Sequence, residues 1–421
     1  MKIILISLIL LLNINISYAI TLNEAVSLGI KSSPEYLMEK NKLKMAENNN
    51  RSTISGFLPN ISLNYQTGIK QDVRGDSDTD DDFGNETSES ISLTQPLFNG
   101  FKTLNNIKQG KFEYLAEKER FEFFERDLIS RITTSYLELY KWQKINYLTE
   151  KNLEYYQAIL NQIKLKSSYG SNNELIDYKV NYAVAKQGLR NIKVNLYKAE
   201  LEYQDLTGDS EMILFEPKIE FIELNLNELS SKLTDNPQVR QKHYEYLALK
   251  ANHKMQVGEL LPTISLEASH VKQSNVVYLS GEDLETKSIL LDVTIPIFKQ
   301  GTRFFNIKKS EYNANIKAEE YELMLIKLRR DLASQYKEYN FYLNDHNQVY
   351  TIHKLLAQKL SKNQESFKLK LLDRVSLLKI KIEKYDAEME FIKSDINLYI
   401  TYFKIKALTE QGNLAQNYLI K

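Results

Sequence analysis

The sequence predicts a mainly α-helical chain carrying a small amount of transmembrane-type β-strand, arranged as two tandem copies of one plan. Three observations predict it. Apolar residues recur at 3-4-3-4 spacing over stretches longer than a globular domain needs. Strict alternation replaces that spacing in four places only. Six of the 7 prolines form pairs that mark equivalent points in two halves of the chain. Composition agrees: 14 Gly and 7 Pro in 421 residues leave little material for loops, so the regular elements must be long.

Met1-Lys2 precedes an apolar run from Ile3 to Leu12, and Ser17-Tyr18-Ala19 ends the segment with small residues at the −3 and −1 positions. These are the parts of a secretory signal peptide, so residues 1–19 are expected to be removed and the mature chain to start at Ile20. Asn13 and Asn15 interrupt the run well before the roughly 20 apolar residues that a membrane anchor requires. No later segment is long and apolar enough to cross a bilayer as a helix. Membrane residence would therefore have to come from a β-barrel.

The paired prolines are Pro34 with Pro237, Pro59 with Pro262, and Pro96 with Pro296. Local sequence follows the pairing. Leu22-Asn23-Glu24 matches Leu226-Asn227-Glu228, Leu58-Pro59 matches Leu261-Pro262, and Pro96-Leu97-Phe98 matches Pro296-Ile297-Phe298. The expected organisation is a first repeat over 20–216, a connector over 217–225 that contains Pro217, and a second repeat over 226–421. Strands are expected near 60–71, 88–98, 263–273 and 287–298, where Ile61, Leu63 and Tyr65 alternate with polar residues and Ile289, Leu291 and Val293 do the same. Each strand pair should lead into a long helix and then a second one. Leu128, Ile132 and Leu139 belong to one long seam and Leu325, Leu328 and Leu332 to its counterpart, while Leu175, Tyr178 and Tyr182 open a later one. From about residue 102 to Ser168 the first long helix should reach roughly 100 Å at 1.5 Å per residue. Four amphipathic strands cannot close a barrel, so the chain must oligomerise. The acidic stretch from Asp72 to Ser90 reads as a solvated external loop between the first two strands.

This order of parts, doubled, resembles the TolC-type outer membrane efflux protein family. The resemblance covers essentially the whole mature chain, including Leu22-Asn23-Glu24-Ala25 at its start and Leu206-Thr207-Gly208 at a helix end. It implies a homotrimer whose twelve strands form one outer-membrane barrel, extended by an α-helical periplasmic tunnel. The implied function is the passive exit duct of a tripartite efflux pump or type I secretion system. Its implied partners are a periplasmic adaptor (membrane fusion) protein, an inner-membrane ABC- or RND-type transporter, and outer membrane lipid. The family closes its tunnel where the long and second helices of each half turn, which nominates Gly170, Glu174 and Asp177 in the first half and Asp373, Arg374, Ser376 and Lys379 in the second. Lys370 stands where the family places a turn glycine, and Ser376 and Lys379 stand where some members place tip aspartates, which departs from a purely carboxylate-lined constriction. Lys379 and Arg374 are candidate partners for Asp373.

The remaining features argue against chemistry. Lys+Arg and Asp+Glu number 55 each, so net charge supplies no case for nucleic-acid binding. The absence of Cys removes disulfides, thiolate metal sites and Cys nucleophiles. No phosphate-cradling glycine loop or nucleophile elbow occurs. His346 and His353, two turns apart on a seam, read as packed residues because no further metal ligands have suitable spacing. No cofactor and no enzymatic activity are expected. The competing reading is an elongated periplasmic coiled-coil interaction protein.

Overall fold

The computed structural model describes residues 19–72, 82–167, 172–209, 213–217, 224–276, 282–298 and 301–409. The expected signal peptide before Ala19 and the turn glycine Gly170 lie outside these residues. In chain order the elements are α1 (Leu22–Ser32), α2 (Pro34–Ser52), β1 (Asn60–Asp72), β2 (Asp82–Asn99), α3 (Lys102–Ser167) and α4 (Asn172–Thr207). The second series is α5 (Leu226–Ser231), α6 (Pro237–Val257), β3 (Thr263–Val276), β4 (Glu282–Thr294), α7 (Thr302–Lys368) and α8 (Arg374–Thr409). The long helices α3 and α7 have 66 and 67 residues, about 100 Å each at 1.5 Å per residue. No described helix is long and apolar enough to cross a membrane.

The chain divides into two compact units. One comprises Met1–Leu37, Phe124–Asn236 and Leu328–Lys421; the other comprises Met38–Phe123 and Pro237–Lys327. The core of the first unit joins Ala25 and Val26 of α1 to Leu128, Ile132 and Tyr136 of α3, Tyr203 of α4 and Ile396 of α8. α1 enters it through a capping box, in which Thr21 accepts from the Glu24 amide while Glu24 accepts from the Thr21 amide at 2.8 Å. Its helix comes close enough to α3 that a Cβ on Gly29 would stand 2.4 Å from Ile132 Cδ1. Tyr136, fully buried, places its hydroxyl 2.9 Å from the Ile20 carbonyl and 2.8 Å from the Phe215 carbonyl. The expected mature N-terminus is thereby tied to the end of the first repeat, where Ile20 also donates its amide hydrogen to Ile213 O at 2.7 Å.

The second unit holds a four-stranded antiparallel sheet in the order β1-β2-β3-β4. The repeats meet at its centre, where β2 of the first pairs with β3 of the second. Both outer strands leave one edge without a partner in the sheet. Alternation sorts the side chains onto two faces. One face carries Ile61, Leu63, Ile91 and Ile289, all well exposed. The other carries a row of serines, in which Ser62 and Ser92 lie 2.7 Å apart and Ser269 and Ser288 lie 2.8 Å apart.

Two strand expectations change. β1 and β2 remain paired as far as Asp72 and Asp82, so Asp72, Glu86 and Glu89 belong to strands rather than to an external loop. The link shrinks to residues 73–81, outside those described. The sequence hid this extension because a hairpin with water on both faces needs no apolar alternation. At the other end, β4 stops at Thr294, paired with Thr263, so Ile295, Pro296, Ile297 and Phe298 lie outside the strand. β2 runs on past Pro96 because a register shift between Pro96 and Phe98 accommodates the residue without an amide hydrogen.

Ion pairs organise the helices of this unit. Lys242 of α6 and Lys317 of α7 each contact both Glu245 and Glu320, and Arg240 bridges Glu119 and Glu122 of α3. Two glycines allow a close backbone approach, for a Cβ on Gly258 would lie 2.2 Å from the Gly100 carbonyl oxygen and one on Gly100 would lie 2.2 Å from that of Gly258.

Candidate periplasmic gate

The helix turns nominated by the sequence lie at the far ends of α3/α4 and α7/α8. The second is fully described. Leu371 N–H donates to Ser366 O at 2.9 Å and Lys370 N–H to Phe367 O at 3.0 Å, the two bonds of a Schellman motif. The motif requires a left-handed residue, and Lys370 supplies it at φ 61° without the freedom of glycine. The departure from a turn glycine is therefore carried by the backbone as strain, not by a different turn.

Asp373 caps the N-terminus of α8. Its Oδ1 accepts from Val375 N–H at 2.8 Å and Ser376 N–H at 3.2 Å, and its Oδ2 accepts from the Ser376 hydroxyl at 2.5 Å. Thus two nominated residues, Asp373 and Ser376, form one local cap. Arg374, the first helical residue, is exposed and makes no ion pair among the described residues.

Lys379 reaches across to α4 while staying within the electrostatic range of Asp373. Its ammonium stands 5.2 Å from the centre of the Tyr178 ring on α4. A hydrogen bond with Tyr178 leads in raising the lysine above its ordinary pKa, with Glu174 and Asp373 adding to the rise and burial opposing it. Tyr178 is buried with Ile159, Leu160 and Ile163 of α3 and with Val375, Leu378 and Ile382 of α8. This cluster makes the α3–α4 pair and the start of α8 one packed body. Glu174 and Asp177, in the first turns of α4, are exposed. The structure thus brings Glu174, Asp373 and Lys379 into one electrostatic neighbourhood, while Asp177 and Arg374 face outward. Tyr178 had not been nominated; its place in the 3-4 seam beside Lys379's helix was the available signal, and it read as packing alone.

Away from the turns, α3 and α8 are linked by Asn152 Nδ2 donating to Asp386 Oδ1 at 2.7 Å, and α7 and α8 by the Ser394 hydroxyl donating to Asp345 Oδ2 at 2.7 Å. His346 and His353 both lie on Phe391 of α8, each with ring centres 5.3 Å away. Among the described residues, no group of three or more His, Asp or Glu side chains could hold a metal ion.

Very long helices, strands that expose an apolar face, and turns built from caps and packing define an outer membrane channel protein with a helical periplasmic portion. The chain belongs to the outer membrane efflux protein family, whose model matches residues 26–200 and again 229–370. It is 23% identical over 326 residues to the outer membrane efflux protein BepC of Brucella suis biovar 1 (strain 1330), covering 76% of this chain and 69% of BepC. Among solved structures, the CmeC outer membrane channel of Campylobacter jejuni superposes with a TM-score of 0.79 at 14% identity, covering 94% of this chain and 87% of CmeC. The outer membrane protein VceC of Vibrio cholerae gives 0.75 at 13% identity, covering 92% and 96%. These likenesses are of fold.

Proposed function

We propose that three copies of this chain form the passive outer-membrane exit duct of a tripartite efflux pump or type I secretion system. The observation that carries the reading is the sheet, which has two unpaired edges and one exposed apolar face. Lipid cannot hydrogen-bond a strand edge, so β4 of one copy must meet β1 of the next until the sheet closes. Three copies give twelve strands. Ile176, Val180 and Val184 supply a second argument, since they form an exposed apolar line at i, i+4 spacing on α4, suited to a neighbouring helix. The helices would then form the periplasmic tunnel, with the α3/α4 and α7/α8 turns as its gate. Glu174, Asp373 and Lys379 would act there by holding neighbouring helices together. A periplasmic adaptor and an inner-membrane transporter would load the duct, as membership of the outer membrane efflux protein family suggests.

Mass measurement of the detergent-purified protein, followed by planar-bilayer recording, tests the reading. A trimer that conducts is expected. A monomer that stays in solution without detergent would support the coiled-coil interaction protein instead.

A further inference from the structure

The apolar face of the sheet ends in an ordered series of charges. Strand pairing sets Leu63, Ile91, His270 and Lys287 side by side across the four strands. One row toward the β1–β2 link stand Tyr65, Glu89, Lys272 and Glu285; one row the other way stand Ile61, Leu93, Ala268 and Ile289. Moving off the apolar band, the face presents His270 and the Lys287 ammonium first, and then a row in which Glu89 and Glu285 flank Lys272. Ala268, a small residue between Leu93 and Ile289, leaves a groove of about 410 Å³, with His270 and Lys287 at its charged end.

We propose that this groove binds a phosphorylated lipid of the surrounding leaflet, its acyl chain on Ile91, Leu93, Ala268 and Ile289 and its phosphate at Lys287 and His270. The inference rests on the outer-membrane reading above. The occupant follows from the charge order. In a phospholipid the phosphate lies next to the acyl chains, and counter-cations or ammonium groups lie farther out, where Glu89 and Glu285 would receive them. Lys287 Nζ now rests 2.8 Å from Glu285 and His270 Nε2 rests 2.9 Å from the same carboxylate. These are exposed contacts of the kind that water weakens, so both groups are available to a phosphate. A phosphate held by the Lys287 ammonium and by an imidazole N–H of His270 gains a charge-assisted hydrogen bond and a second donor at the edge of a low-dielectric layer.

The test is native mass spectrometry of the detergent-purified trimer with three probes: dioleoylphosphatidic acid, dioleoylglycerol with the same chains and no phosphate, and inorganic phosphate. Preferential retention of phosphatidic acid is expected, undiminished by inorganic phosphate. The His270→Ala/Lys287→Ala variant should lose about tenfold of that preference, equivalent to ~1.4 kcal/mol. Ala268→Phe, which fills the groove and leaves the charges in place, should reduce retention of both lipids. Equal retention of the two lipids by the unaltered trimer, or an unchanged preference in the double variant, would overturn the proposal. Competition by inorganic phosphate would reassign the site to free anions. Each of these results requires a conducting trimer and leaves the duct reading intact, whereas failure to form one counts against that reading alone.

Discussion

His346 Nδ1 of α7 and Asp395 Oδ1 of α8 face each other at 3.6 Å, and at neutral pH they are not an ion pair. Burial holds the imidazole below its ordinary value, with Asp345 opposing, so the ring stays neutral. Burial, followed by Glu216, pushes the Asp395 carboxyl up to about 6, against a hydrogen bond from Tyr399 that lowers it. Tyr140 of α3 faces the same carboxylate, and burial, Glu216 and Asp395 raise its phenol.

The sign of the resulting pH dependence follows from linkage. Asp395 binds its proton more tightly folded than unfolded, so its stabilising contribution is present at low pH and lost as pH rises from about 3.8 through about 6. His346 acts oppositely, losing stability as pH falls below its ordinary 6.5. Asp395→Asn isolates the first effect. It should raise stability at about pH 7.5 by ~1–3 kcal/mol, and the gain should vanish by about pH 4. The sole tryptophan, Trp142, packs on the adjoining core and reports unfolding by fluorescence. A pH-independent gain would show that packing, not ionisation, is responsible.

At the turns, the Lys379–Tyr178 contact should matter more than Arg374. Lys379→Ala should loosen α8 against α4 and raise single-channel conductance in planar bilayers, while Tyr178→Phe, which keeps the ring, should have a smaller effect. Adding Arg374→Ala to Lys379→Ala should change little further. Equal conductance in all variants, with the trimer intact, would place the constriction elsewhere.

Gly258→Ala should lower stability by ~1–3 kcal/mol, because the new Cβ meets a carbonyl oxygen at 2.2 Å and backbone must shift to relieve it. Gly188→Ala is the opposite case. That glycine lies inside α4 with nothing of its own chain within 4 Å of an added Cβ, so helix propensity should stabilise the unassembled chain by ~0.5–1 kcal/mol. Thermal melts followed by circular dichroism would read both.

Lys370→Gly should stabilise the α7–α8 turn. Relief of the left-handed lysine is worth ~1–2 kcal/mol and glycine's extra unfolded-chain freedom returns ~0.5–1, leaving a gain of roughly 0.5–1 kcal/mol. Lys370→Ala removes the charge but keeps most of the strain, so it should show little of this gain in the same melts.

The sequence by itself determined the elements whose cause is periodic or local. The 3-4 seams placed α3, α4, α7 and α8, because a long helix buries one stripe whatever its neighbours. The alternation of Ile61, Leu63 and Tyr65 placed β1, because a face against an apolar medium imposes a period of two. The cap that Asp373 forms with Ser376 is local as well, yet the sequence nominates both residues only for the gate. Tertiary structure decided what depends on partners distant in sequence. The polar extension of β2 to Asp82 exists because β1 is there to pair with it, and β4 ends at Thr294 because β3 begins at Thr263. The pairing of β2 with β3 joins strands separated by both α3 and α4, and Lys379 finds Tyr178 two hundred residues away. The Gly100–Gly258 contact likewise comes from backbone meeting backbone, and side-chain periodicity carries no record of such a meeting.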